Sequence, residues 1–520
     1  MVILGLGGLL GEAAAALLKD GEVLAAIEES KLTHGNWRGA IPQAAIEECL
    51  RLSGVKAAQV NVVGLVRPFA RGPESHLHVA LRNQFPNAEI TLLEHHFAHA
   101  ASAYFVSGFD KATVLTLDHA GDFRCGARWN AVGDQLQLDR EWYYPDSLGR
   151  LYGAVTELLG FEAHADEHKV QWQSTAGDDR FAPLFRDIVS DSARLDTSFF
   201  DGSRTTHGGF SAKFYERLGL AAGQTVPPAV APHVARGLQK AVEQTVMNMA
   251  GEGENLALAG GLFYNALLVE ALEQSGRWKN VFVQPVAGNP GTSLGAVYAL
   301  WRQRGGNQQS TPLSLFLGSG FGQEGIKKVL ENCKLRFRFS RSNDDMLAAA
   351  VKMLGERKII AWMQGRMEFG PRALGNRSIL ASPLDPYSTE NLNVFIKHRE
   401  PFRKFAASVP AELAGEFFEV GTNARYLATV GRVKQKHRKT FQTAILGEDI
   451  VRVHVVHEAD NPLYHRLLHV AGKASGLPVL YNTSFNLFGD PLVSTPRDAV
   501  RSFYSSGIDA LFVGNFVVEK

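Results

Sequence analysis

The sequence predicts an α/β protein of at least two domains, on three observations. The chain is 520 residues long, more than one hydrophobic core organises. Buried-strand runs followed by a glycine turn and a helix occur at 255–272 and again at 280–301. A turn-rich stretch low in apolar residues, RQRGGNQQSTP at 302–312, then reads as a linker to a second unit of different character.

Taken in order, residues 1–8 read as a buried first strand. Residues 11–19 and 20–28 continue as a turn and a second strand, 40–52 as a helix, and VNVVGLV at 60–66 as a further buried strand. A helix is expected at 95–107, then the β-prone ATVLTLD ending at Asp118 and followed by HAGD, a strand-end turn of the kind that holds phosphate or metal in nucleotide-handling α/β folds. The stretch 181–235 reads as helical. Beyond the linker, the second unit opens near Asp344 with a helix and a buried strand; a β-rich part at 440–456, a helix at 461–475 and strands PVLYNTS and FVVE follow.

Composition is that of a globular chain, 45% hydrophobic and 21% charged, with formal net charge +1. No global field therefore recruits nucleic acid or an anionic membrane. Cys49, Cys125 and Cys333 are far apart and in no metal-type spacing, which fits a reducing cytoplasm. MVILGLGG lacks the basic start of a signal peptide, and no apolar run reaches bilayer length. A cytoplasmic location is expected.

The densest chemical signal is GRMEFGPRALGNRSIL at 365–380, with Arg366, Arg372 and Arg377 among glycines and apolar residues. Guanidiniums present a planar fork suited to phosphate and carboxylate oxygens; a structural loop with partly buried ion pairs is the plainer reading. Lys397, Arg399, Arg403 and Lys404 in IKHREPFRKF and Asn482, Ser484 and Asn486 in YNTSFN could complete an anion pocket. His95 and His99 stand four apart, on one helical face, and Asp118 ends the next strand, a set able to hold a metal. A histidine-rich helix start that only hydrogen-bonds its neighbours is the alternative, and His96, about a hundred degrees away, reads as structural. Gly260, Gly261 and Asn265 in one strand-to-helix turn, and Gly288, Gly291, Thr292 and Gly295 in another, could present backbone N–H groups to phosphates. Either turn alone is as readily a packing feature.

Together these segments, with HHFAHAASAYF, VLTLD, LALAGGLFYNALL, VFVQPVAGNPGTSLGA and PVLYNTSFNLFGDPLVSTP, resemble the carbamoyltransferase family of antibiotic and nodulation-factor biosynthesis nearly end to end. The resemblance implies an actin/hexokinase-like N-terminal domain, residues 1–340, related to enzymes that place threonylcarbamoyl groups on tRNA adenosine. It implies an α+β threonylcarbamoyl-adenylate-synthase-like domain over 341–520. The second domain would form carbamoyl adenylate from carbamoyl phosphate and ATP with Mg²⁺. The first, holding Fe(II) or another divalent metal, would pass the carbamoyl group to a small-molecule acceptor. His95, His99 and Asp118 match the family's metal ligands, Gly260, Gly261 and Asn265 its nucleotide loop, and Arg366, Arg372, Arg377, Lys397, Arg399, Asn482 and Ser484 its adenylate-forming pocket. Neither a nucleic-acid nor a membrane partner is expected; a homodimer is.

Three positions depart from the family pattern. Its His-Asp pair after the first strand is Gly11-Glu12 here, which leaves Glu12, or His119 beside Asp118, to act as base. Its fourth metal ligand, an Asp, is Asn289, whose amide oxygen carries no charge, so hard-cation binding is expected to weaken. Its EHKVMGLAPYG stretch reads EHKVQWQSTAGDD, keeping Glu167, His168 and Lys169. Activation is therefore expected to persist and transfer to be altered, toward a hydroxyl or an amine. A ligase using another carboxylate and a non-catalytic scaffold are the competing readings.

Overall fold

A computed structural model describes residues 1–9, 11–35, 40–67, 75–121, 123–202, 206–307, 313–487 and 489–520. Residues 308–312 of the expected linker and Asp122 of HAGD lie outside the described residues. The chain forms two compact units. One comprises Met1–Val66, Glu74–Leu92 and Thr311–Lys520; the other comprises Arg67–Pro73 and Leu93–Ser310. Compactness thus groups the first strands with residues 311–520.

The first unit holds two sheets. The smaller contains β1 (Val2–Gly7), β2 (Ala14–Lys19), β3 (Glu22–Glu28), β4 (Val62–Val66) and β5 (Glu89–Leu93), in the order β3-β2-β1-β4-β5. β1 runs antiparallel to β2 and parallel to β4. The expected turn at 11–19 is mostly β2: AAALLK buries five of its six residues, and that burial outweighs the low strand propensity of alanine.

The second unit repeats the topology. Here β6 (Lys111–Gly121), β7 (Arg124–Val132), β8 (Gln135–Tyr143), β9 (Gly253–Ala259) and β10 (Trp278–Val283) lie in the order β10-β9-β6-β7-β8. β6 and β7 pair antiparallel, as do β7 and β8, while β6, β9 and β10 are parallel. A first strand flanked by a meander on one side and parallel strands on the other therefore occurs twice, the arrangement of an actin/hexokinase-like fold. Within 181–235 the structure has several short helices, with the long helix Ala231–Ala250 beginning at its end.

The large sheet of the first unit is formed by β11 (Arg338–Phe339), β12 (Ile360–Met363), β13 (Arg377–Ala381), β14 (Ala406–Pro410), β15 (Phe418–Val420), β16 (Val430–Val433), β17 (Ile450–Val456), β18 (Leu480–Ser484), β19 (Ala510–Val513) and β20 (Phe516–Glu519). Their order is β11-β20-β19-β12-β13-β18-β14-β17-β16-β15. Strand alternation divides its apolar residues: Ile360, Trp362 and Leu380 share a core with helices Asn343–Gly355 and Pro462–Ser475, while Ala361, Met363 and Ile379 line the opposite one. Of the expected β-rich stretch 440–456 only β17 is a strand, because a short 3-10 helix at Gln435–His437 runs into turns over 438–444 and Leu446 makes only an isolated bridge to Ile450.

In the second unit, helix Gly291–Gln303 crosses helix His95–Tyr104 at Gly295. A Cβ at that position would lie 1.8 Å from the Ala98 carbonyl oxygen and 3.1 Å from the Ser102 amide nitrogen. Both obstacles are backbone, so the helices would have to part. Gly295→Ala is expected to cost about 1–3 kcal/mol, read as a lower urea midpoint of the full chain.

Candidate functional site

In the second unit the candidate residues named from the sequence stand where parallel strands end. Asp118 lies near the C-terminal end of β6, Gly260 to Asn265 follow β9, and Gly288 to Thr292 follow β10, the usual end for ligand sites of open α/β sheets. Gly260 has φ 102°, and a Cβ there would lie 2.1 Å from the Leu117 carbonyl oxygen; its N–H donates to Ala287 O at 2.7 Å. A Cβ on Gly261 would come within 3.2 Å of Asp118 Oδ1. Gly288 abuts the Tyr264 ring and Gly291 the Val286 carbonyl. Asn265 caps helix Ala266–Gln274, accepting from Leu268 N, and its amide exchanges hydrogen bonds with Gln239. These residues shape the turns, and the Asn265 side chain is engaged within the protein.

The carboxylate of Glu94 fixes the histidine helix by capping it, accepting from His96 N at 2.8 Å and Phe97 N at 2.7 Å. His96 is saturated, with Nδ1 at 2.9 Å from Thr116 Oγ1 and Nε2 at 3.1 Å from Arg124 O. His95 Nε2 is 2.8 Å from Asp118 Oδ2 and His99 Nε2 is 3.5 Å from the same atom. His99 is fully buried yet makes no hydrogen bond through either ring nitrogen. One donor atom from each of His95, His99 and Asp118 lies within 4.8 Å of the others. Burial pushes His99 below the ordinary histidine range, which leaves the neutral imidazole a metal requires. Burial would raise the Asp118 carboxyl, but the two imidazoles outweigh it and hold the group well below the usual carboxylate range. Three converging donors, one with orphaned nitrogens, fit a divalent ion. Asn289 precedes helix Gly291–Gln303, and its backbone carbonyl accepts from Thr292. His119, adjacent to Asp118, has its ring 4.5 Å from that of His164.

In the first unit the arginine-rich segment is an irregular, mostly buried loop, and Arg366, Glu368 and Arg377 bond backbone groups of the loop and of the segments packed on it. Arg377, wholly buried, donates to the carbonyls of Gln364 (2.6 Å), Asn376 (3.0 Å) and Ser319 (2.9 Å). Arg366 donates to Gly318 O at 3.1 Å, Leu24 O at 2.9 Å and Leu317 O. Glu368 Oε1 accepts from the amides of Leu374, Asn376 and Arg377. Gly375, at φ 99°, has the Tyr464 ring 2.3 Å from where a Cβ would stand. Of the three arginines, Arg372 alone belongs to the electrostatic surroundings of a second cation group.

That group is built on β17, β18 and the π-helical turn Leu392–Lys397. Lys397 Nζ donates to Ser484 O at 2.5 Å, Asn486 O at 3.0 Å and Asn486 Oδ1 at 2.6 Å, and Ser484 Oγ donates to Asn486 Oδ1. Arg399 Nε bonds Asn393 Oδ1 at 2.7 Å, and its guanidinium lies over Phe405 at 4.4 Å, leaving Nη2 buried without a partner. Burial, then Arg399 and Arg403, holds Lys397 well below the usual lysine range; burial, then Arg403, lowers Arg399 to about 9. Arg452 is lowered by burial and by Arg372, Arg399 and Arg403. Beside it on β17, burial takes His454 down to about 3, its Nδ1 at 3.1 Å from Ser408 Oγ. Asn482 donates to Ala373 O and Ser408 Oγ while its Oδ1 is buried and unpartnered. Sequence reading did not single out Arg452 or His454. The available signal was IVRVHVV, where a cation and an imidazole two apart share one face of an apolar strand. Glu12 lies in the β1–β2 connection, exposed and with φ 62°.

Two outcomes follow from this unit. Arg377→Met, which strips donors from three buried carbonyls, is expected to lower the unfolding free energy by about 3 kcal/mol or more; Arg372→Ala is expected to change it by less than about 0.5 kcal/mol in the same denaturation series. Lys397 has a folded pKa below its unfolded value of about 10.4, so the folded chain binds fewer protons in that window. Stability without ligand should then rise with pH toward 10.4, and ATP should flatten the slope by restoring the charged amine. Unfolding midpoints at several pH values, with and without ATP, measure this.

Comparison with known proteins matches residues 76–298 to the carbamoyltransferase N-terminus and 351–520 to the carbamoyltransferase C-terminus. The chain is 30% identical to the nodulation protein NolNO of Sinorhizobium fredii, over 98% of this chain and 79% of that protein. It is 32% identical to a 3'-hydroxymethylcephem-O-carbamoyltransferase of Amycolatopsis lactamdurans, over 51% of this chain and 48% of that enzyme. Among solved structures, a putative N-acetylglucosamine kinase of Porphyromonas gingivalis aligns at 12% identity with a TM-score of 0.29, over 59% of this chain and 99% of that one. Motifs and both matched halves converge: the chain belongs to the carbamoyltransferase family and is an enzyme of the transferase class.

Proposed function

We propose that this protein makes carbamoyl adenylate from carbamoyl phosphate and ATP and passes the carbamoyl group to a hydroxyl or amine of a small molecule in natural-product biosynthesis. The observation that carries the reading is the buried Lys397 with the half-buried Arg399, Arg403, Arg452 and Arg372, set beside the unpartnered Asn482 Oδ1. So many cations in one place repel one another, and a polyphosphate is the ligand that relieves this.

In the activation step water attacks the carbonyl carbon of carbamoyl phosphate, the bond from that carbon to the phosphate oxygen breaks, and phosphate leaves with a proton of the water, giving carbamate. A carbamate oxygen attacks the α-phosphorus of ATP, the bond to the β-phosphate oxygen breaks, and pyrophosphate leaves. Arg399, Arg452 and Arg372 hold the charge that develops on the phosphates, with Mg²⁺ accompanying ATP. Lys397 holds Ser484 and Asn486 in one orientation. Arg366 and Arg377 keep the loop in shape so that Arg372 is presented. In the transfer step the acceptor oxygen or nitrogen attacks the carbamoyl carbon, the bond to the phosphate oxygen breaks, AMP leaves, and His119, beside Asp118, takes the acceptor proton. A divalent ion held by His95, His99 and Asp118, with Asn289 in place of a carboxylate, would supply Lewis-acid polarisation of a carbonyl. The requirement for ATP and the three free cysteines support a cytoplasmic location, and no helix among the described residues is long and apolar enough to cross a membrane.

Exchange of labelled pyrophosphate into ATP tests the first step. It is expected to require carbamoyl phosphate and to fall about a hundredfold or more in Arg372→Ala. His99→Ala should leave exchange intact and remove transfer to acceptor. Exchange that ignores carbamoyl phosphate but requires another carboxylate would replace this reading by the ligase.

A further inference from the structure

A second cluster of metal-type donors lies in the first unit, apart from every residue used above. Helix Pro462–Ser475 carries His465 and His469, four residues apart on one face. Both Nε2 atoms point to Glu412, in the turn Ala411–Leu413 that follows β14. His465 Nε2 stands 3.1 Å from Glu412 Oε1 and 3.1 Å from Oε2, and His469 Nε2 stands 2.6 Å from Oε1. The rings are 4.7 Å apart at 61°. One donor atom from each residue lies within 4.8 Å of the other two.

Two imidazoles on one carboxylate could be a plain hydrogen-bonded group. Three details favour more. His465 is equidistant from both carboxylate oxygens, so its nitrogen aims between them and not along a lone pair. Both histidines offer the same ring nitrogen to one point. Burial of His465 against exposure of Glu412 and partial exposure of His469 gives a site with a fixed floor and an open side. At metal–nitrogen distances of about 2.0–2.1 Å, tetrahedral donors are about 3.3 Å apart, so these contacts would open by about 0.2 to 0.7 Å. The residue after His465 is Arg466, paired with Asp344, where helical zinc hydrolases carry a glutamate as general base. The cluster therefore has ligands without the base of a hydrolytic centre.

We propose that His465, His469 and Glu412 form a second divalent-metal site, suited to a borderline ion such as Zn²⁺, which pins helix Pro462–Ser475 to the end of β14. That helix begins at Asn461, whose amide donates to Asn376 Oδ1 at 2.9 Å, so the site lies one helix away from the arginine-rich loop. Its role is structural, and through Asn461 it bears on the position of that loop.

The test uses the full-length chain, stripped with chelator and titrated with Zn²⁺ against a chromophoric competitor. Wild type is expected to take up two equivalents, and His95→Ala with His99→Ala one. His469→Gln, at a partly exposed position where folding is expected to survive, should lose one equivalent in wild type, as should Glu412→Gln. Co²⁺ uptake should give a visible ligand-field band in the His95/His99 variant that disappears when His469→Gln is added. Unchanged Zn²⁺ stoichiometry in His469→Gln overturns the proposal, as does a wild-type chain whose Zn²⁺ is removed entirely by the His95/His99 substitutions. Should the His95/His99 variant fail to fold, the single His469→Gln titration decides alone.

Discussion

The first unit depends on solving one problem: burying a loop of irregular backbone. Residues 364–376 have almost no regular structure and most are buried, a placement that leaves N–H and C=O groups without water or a ladder partner. The chain answers with charged side chains. Arg377 and Arg366 supply donors to carbonyls, and Glu368 accepts three amides. Lys31 donates to the carbonyls of Glu368 and Gly370, while Glu28, its ion-pair partner at 2.9 Å, accepts from Gly370 N. Met367 packs in the core of the small sheet. The loop is thereby joined to β3 and to the large sheet, which explains why compactness unites distant parts of the sequence.

A framework of that stiffness lets the same unit hold charges that would otherwise push it apart. Lys397, Arg399 and Arg452 are each depressed by burial first and then by neighbouring arginines, Arg403 among them in every case. So close a set of like charges costs the fold stability. A π-helical turn delivers Lys397, and such turns recur at functional positions.

The second unit uses a different device. Its glycines allow backbone segments to touch: Gly260 against Leu117, Gly291 against Val286, Gly295 against Ala98. Close approach brings the ends of three parallel strands together under the histidine helix, whose register is set by the Glu94 cap. Asp118, His95 and His99 then converge with no need for charge compensation from elsewhere. The unit is thus packed by small residues where the first is packed by large charged ones.

By itself the sequence determined the family, the α/β class, the strand–turn–helix units and the histidine–aspartate group, because each is written in local spacing: period two for strands, four residues between imidazoles, glycine at a turn. It also marked the arginine-rich segment as exceptional. What it could not divide was the labour among Arg366, Arg372 and Arg377, which look alike in one dimension. Only the tertiary structure decided that two of them bond carbonyls and that Arg372 joins Arg452 from a strand 80 residues away. The same holds for Glu412 and its two histidines, and for β2, whose alanines read as a turn until burial made them a strand. A hydrogen bond's partner and a charge's surroundings depend on which surfaces meet, and chains meet through contacts between residues far apart in sequence.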